Sequence, residues 1–216
     1  MGFSKEFWIF VGLSSLEFLF LIGSAIFFKF VKKESLRVSL LQRSFPEKKS
    51  WIVRIGDIGA GITAGVLLTF FARGFISFTR FSVIKMFGRE FYNTASSGSI
   101  DVIPPVLSLE EIILTIVIFY LVIGVCEEFF FRSVLYVELK PYLKNWTYIV
   151  NGVIFALFHV FPGIVPIQTT VTYFLYYFIM GILLCVILEI QDNDLLANII
   201  THGTFNALPY ILALLS

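Results

Sequence analysis

Apolar residues run along this chain in long blocks, not in the one-sided stripes of a soluble helix or the alternation of a half-buried strand. Six blocks approach the ~20 residues that a helix needs to cross a bilayer. They cover about 7–31, 52–72, 109–139, 146–160, 169–190 and 195–215. The pattern predicts an all-α fold, a polytopic membrane bundle of about six transmembrane segments around a buried polar site.

Polar residues divide the blocks. A basic linker with Lys32, Lys33, Arg37, Arg43, Lys48, Lys49 and Arg54 follows the first. The second is rich in glycine (Gly56, Gly59, Gly61, Gly65), which permits close helix approach. Residues 73–108 read as a long connection. Its first half alternates phenylalanine with Arg73, Arg80, Lys85 and Arg89, the pattern of an interfacial amphipathic helix. Its second half, Asn93 to Pro105, reads as loop. The fourth block is short and stops at Phe161-Pro162-Gly163. Two parts are expected: 1–108, variable leading helices with the linker and connection, and 109–216, a core that carries the chemistry. The linker should stay cytoplasmic. The first residues then lie outside, and the turns at Lys140–Lys144 and Asp192–Asp194 lie inside. The basic residues at 73–89 pull the other way.

Composition excludes a water-soluble domain. The chain has 216 residues, 58% hydrophobic and 14% charged, against roughly 45–50% and 25% in soluble domains. A net charge of +1 gives no reason to expect nucleic acid, so the implied surroundings are the lipid bilayer of a cell membrane. Cys126 and Cys185 sit in apolar blocks and suggest neither a disulfide framework nor a metal motif. The first block is long and ends in lysines, so it reads as a span and not as a cleaved signal.

Against that background Glu127, Glu128 and Arg132 stand out, deep in the third block. Each costs roughly 2.5–3.5 kcal/mol there even on the lenient insertion scale, and such residues mark functional sites by default. At about 100° per residue, Glu128 and Arg132 share a face and can pair. Glu127 stands about 140° from Arg132. The division gives Glu128 and Arg132 a structural task and leaves Glu127 for chemistry. The alternative is one structural network of all three. The only two histidines, His159 and His202, also lie in apolar blocks, with Phe155 and Asn206 on their respective faces. Counted from the cytoplasmic turns at ~1.5 Å per residue, Glu127 is about 20 Å deep, His159 about 22 Å and His202 about 12 Å. Tilt can absorb that spread, so one cavity can hold them all.

Glu127-Glu128-x-x-x-Arg132, Phe155-x-x-x-His159 and His202-x-x-x-Asn206 together resemble the three-motif pattern of the CAAX prenyl protease and bacteriocin-processing family, also called Abi proteins. The resemblance covers roughly 110–210, with every motif intact and in order. It implies an intramembrane endopeptidase acting on a membrane-associated peptide or protein. It implies that Glu127 and His159 activate a water, and that His202 and Asn206 stabilise the oxyanion. No cofactor is expected. Zinc held by Glu127, His159 and His202 is the alternative by residue type. Cys126 has no activating neighbour in sequence and reads as inert packing. The competing function is a non-catalytic membrane protein of the same fold, serving immunity (as to a bacteriocin) or scaffolding. A small transporter would more often show paired repeats, and none is evident. The enzyme reading requires a polar cavity open toward the cytoplasm, because a substrate backbone cannot sit unsatisfied in lipid.

Overall fold

The computed structural model describes residues 3–34, 44–45, 49–98 and 107–215. Arg37, Arg43, Lys48, Pro104 and Pro105 therefore lie outside the described residues. Among the described residues all regular structure is helical, apart from an isolated bridge between Pro162 and Val165. We number the helices α1 (Lys5–Lys32), α2 (Trp51–Phe87), α3 (Arg89–Ser97), α4 (Leu109–Leu143), α5 (Trp146–His159), α6 (Ile167–Ile190) and α7 (Leu195–Leu214).

Four of these, α1, α2, α4 and α6, are long and apolar enough to cross a membrane, which makes the protein multi-pass. The sequence pattern predicts six spans, and the other two fall short. The reason is chemical: α5 has only 14 residues, and α7 spends its length on polar groups, burying Asn198, Thr201, His202 and Thr204. The predicted break after residue 72 is absent, and α2 runs on for 37 residues. No proline interrupts it, and Gly74 alone costs only about 1 kcal/mol. At ~1.5 Å per residue it is about 55 Å long, so the stretch with Arg73, Arg80 and Lys85 extends past a ~30 Å hydrocarbon layer. Gly88 stops it with φ +90°, a conformation that favours glycine. Asn93–Ser97, expected as loop, belongs to α3, which buries Ala95 and lies against α6 through Thr169 Oγ1 donating to Ala95 O at 2.9 Å.

Close approach does use glycine, but only half of the predicted set. A Cβ on Gly61 would come within 2.8 Å of Ala197 O, and one on Gly65 within 2.5 Å of the Thr204 side chain, so α2 and α7 touch there. Gly56 and Gly59 meet nothing within 4 Å. Gly152 and Gly181 let α5 and α6 cross in the same way, 3.0 Å from a Cβ on Gly181 to the Gly152 Cα.

Polar contacts gather at the two ends. At one end Lys32 pairs with Glu138 at 2.5 Å, Arg54 with Asp194 at 2.6 Å and Lys49 with Asp57 at 3.2 Å. Glu189 receives Lys140, Tyr136 and Tyr148. The described part of the basic linker, the Lys140 turn and the Asp194 turn thus share one end of the bundle. Asp57 takes Lys49, while Asp194 caps α7 and claims Arg54. At the other end one carboxylate ties two helix starts together. Glu111 accepts from Ser108 N at 2.7 Å in the capping box of α4, and from Ser4 N, the cap of α1, at 2.5 Å.

Candidate active site

The motif residues converge from three helices. α4 supplies Glu127, Glu128 and Arg132 from its middle, where the backbone departs from a regular α-helix. Wide π-helical turns at Phe119–Ile123 and Phe129–Tyr136 bracket the short α-helical stretch Gly124–Glu128. Such turns cluster at functional positions. α5 supplies His159 from its last turn and α7 supplies His202 and Asn206.

Glu128 is the centre of a closed knot. Arg132 Nε lies 3.2 Å from Oε2, the pair predicted by their four-residue spacing, and neither side chain is exposed. His202 Nδ1 lies 2.8 Å from Oε1, and Asn198 Nδ2 donates to Oε2 at 3.1 Å and to Leu184 O at 2.7 Å. The Arg132 guanidinium also lies over the Phe155 ring, 4.6 Å from its centre, a cation–π contact that ties α4 to α5. An ionised carboxylate only accepts, so the proton on His202 belongs on Nδ1.

Glu127 has a different neighbour. Its Oε2 is 3.8 Å from His159 Nε2, beyond direct hydrogen-bond range. The His159 ring is oriented from its far side. Nδ1 lies 2.9 Å from Phe155 O, which can only accept, so Nδ1 carries the hydrogen. The ring stacks on Tyr177 at 4.3 Å and 20° and rests on Phe155 at 4.4 Å. In the neutral imidazole the nitrogen that faces Glu127 is then an acceptor facing an acceptor. Glu127 is buried, while His159 keeps 19% of its side chain exposed and forms the open edge of the group.

Asn206 stands one turn beyond His202, half-buried, with no hydrogen bond to the group among the described residues. The second amide in the knot is instead Asn198, one turn before His202. It was missed, although it stands at the same four-residue spacing as Asn206. Tyr177 is a further residue of the site, and no periodicity marks it as the one stacked on His159. Asn151 was also missed. It is fully buried and holds α4 to α5 by donating to Phe131 O at 2.6 Å. The Cys126 thiol is free and buried, and Cys185 donates to Asn151 Oδ1 at 3.2 Å.

Two further expectations meet the geometry. Among the described residues no three His, Cys, Asp or Glu side chains are grouped to hold a metal ion. His202, the expected third zinc donor, directs Nδ1 at Glu128 instead. In this arrangement His202 does not join Glu127 and His159 through Nδ1 as a third donor. Two hollows open away from Glu127. One is lined by Ser77, Arg80, Phe81, Ile84 and Lys85, and the other lies around Tyr136, Lys140, Glu189 and Asn193. Phe155, Phe158 and Tyr177 close round His159 and leave only its edge open.

Residues 109–208, from the first residue of α4 to the middle of α7, match the family described as type II CAAX prenyl endopeptidase Rce1-like. All three motifs fall inside that range, and this region of the chain belongs to that family. No curated protein and no solved structure matches the chain.

Proposed function

We propose that the protein is a membrane-embedded endopeptidase that hydrolyses a membrane-associated peptide or protein in a cell membrane. The observation that carries this reading is the Glu127–His159 pair. Two acceptors face each other at 3.8 Å across a partly open edge, with the histidine tautomer held by Phe155 O. A water that donates one hydrogen to each satisfies both and is placed for deprotonation. Its oxygen attacks the peptide carbonyl carbon, and its proton passes to Glu127. When the C–N bond breaks, Glu127 returns that proton to the leaving amine. The products are a carboxylic acid and an amine.

His202 and Asn206 receive the negative charge on the carbonyl oxygen. His202 commits Nδ1–H to Glu128, so donation to the oxyanion falls to Nε2–H of the imidazolium form. The Asn206 side-chain amide is one turn away on the same helix and makes no hydrogen bond within the group, so it can supply the second donor. Glu128, Arg132 and Asn198 support the site without touching the reacting atoms.

The test is direct. Purified protein in liposomes is given lipid-anchored peptides of varied sequence, and fragments are read by mass spectrometry. Two fragments that sum to the substrate plus one water are expected. A folded protein that binds the peptides but releases no fragments overturns the enzyme reading in favour of a scaffold or immunity role.

A further inference from the structure

Among the described residues, the proposed chemistry leaves unused a carboxyl group midway along an apolar helix, that of Glu17. Its place follows from the register of α1 against α4. The two run parallel and are pinned at both ends, by Ser4 N to Glu111 with an offset of 107 residues and by Lys32 to Glu138 with nearly the same offset. Carried inward, that offset sets Glu17 level with Gly124, about 4.5 Å along the axis from Glu127. Ring contacts agree. Phe20, one turn further along α1, packs on Phe130 at 4.5 Å, Phe131 at 5.4 Å and Phe158 at 4.8 Å, the last being the neighbour of His159. Glu17 and Glu127 both lie within electrostatic reach of Cys126. At Glu17 the helix tightens, with its N–H bonded three residues back to Ser14 O at 3.2 Å.

Among the described residues no cation is paired with Glu17. Its Oε2 is buried and makes no hydrogen bond among the described residues. Arg132 and His202 are engaged by Glu128, and His159 by Phe155 O and Glu127. The lysines of α1 nearest to it, Lys5 and Lys29, are each about 18 Å away along the helix. A carboxylate at that depth is costly without a partner. α1 is also the least buried of the four long apolar helices, at 11% against 33%, 33% and 50%. A peptide entering beside it would reach Glu17 and Glu127 together.

We propose that Glu17 recognises substrate, taking the cationic side chain of a lysine or arginine close to the bond that is cut. The assignment rests on the peptidase reading above, and its test is binding and not cleavage. Two labelled apolar peptides, one with a single lysine and one with glutamine at the same position, are titrated onto Glu127→Gln protein in nanodiscs. The position is scanned through the centre of the peptide. At one register the lysine peptide should bind about tenfold or more tightly than the glutamine peptide. Glu17→Gln in the same background should remove the preference. Glu17→Leu is the second variant should the amide fail to fold. Equal binding at every register, a preference that survives either variant, or no binding of either peptide overturns the proposal. Cleavage of the glutamine peptide by wild-type protein reports on the peptidase reading alone, so the two failures are told apart.

Discussion

Glu127 and Glu128 are neighbours in the chain and opposites in their surroundings. Glu128 is fully buried and meets Arg132, His202 and Asn198 within 3.2 Å. Glu127 faces His159 across 3.8 Å at an edge that is partly open. About 100° of helix rotation separates the two environments. A carboxylate whose two oxygens both face donors is poor at taking a proton, while one that faces another acceptor has a use for it. In the proposed mechanism one glutamate fixes the geometry that the other exploits.

The sharpest way to break this comparison is to neutralise each side in turn. Glu127→Gln keeps the shape and cannot take a proton. It should lower the cleavage rate by roughly 10²–10⁴-fold and leave the thermal midpoint of the purified protein unchanged. A variant that cleaves at the parental rate would remove Glu127 from the chemistry. The mirror experiment is Glu128→Ala or Arg132→Ala. Each strands a buried charge and should cost roughly 3–5 kcal/mol, read as lower yield and a lower midpoint. Parental stability in both would dissolve the knot as a structural unit.

The contrast between these glutamates was legible from spacing, because a four-residue interval survives the distortion of α4. The number of spans was less so. A hydropathy pattern counts α5 and α7 as membrane helices, but α5 is cut short before Pro162, and α7 trades apolar length for a polar face. The long α2 was cut too early because its basic residues resemble an interfacial connection. The π-helical turns around Gly124–Glu128 leave no mark in composition. Asn198 was visible at the right spacing but was passed over, since Asn206 already completed a familiar motif. The stack of Tyr177 on His159 could not be read, because a side-chain contact between two helices has no local signature in either.

Tyr177 sharpens the open side of the comparison at a smaller scale. It stacks on His159 at 4.3 Å and helps hold the ring whose Nε2 faces Glu127. Tyr177→Leu removes the aromatic face, a contact of about 0.5–1.5 kcal/mol. It should lower kcat by a few-fold, with less effect on KM, and Tyr177→Phe should restore the rate. Equal losses in both variants would assign the effect to the hydroxyl and not to the stack.

The smallest expected effect is that of a chelator. A zinc ion needs three protein donors beside its water, and the group offers Glu127 and His159, while His202 Nδ1 is held by Glu128 at 2.8 Å. Recruiting His202 through Nε2 would require α7 to bring that nitrogen to the other carboxylate while keeping its bond to Glu128. Prolonged dialysis against a strong chelator should therefore leave the cleavage rate unchanged, and metal analysis should find far less than one zinc per chain. One zinc per chain, lost with the activity and restored with it, would turn the facing acceptors into ligands. It would also make the difference between the two glutamates one of coordination and not of proton transfer.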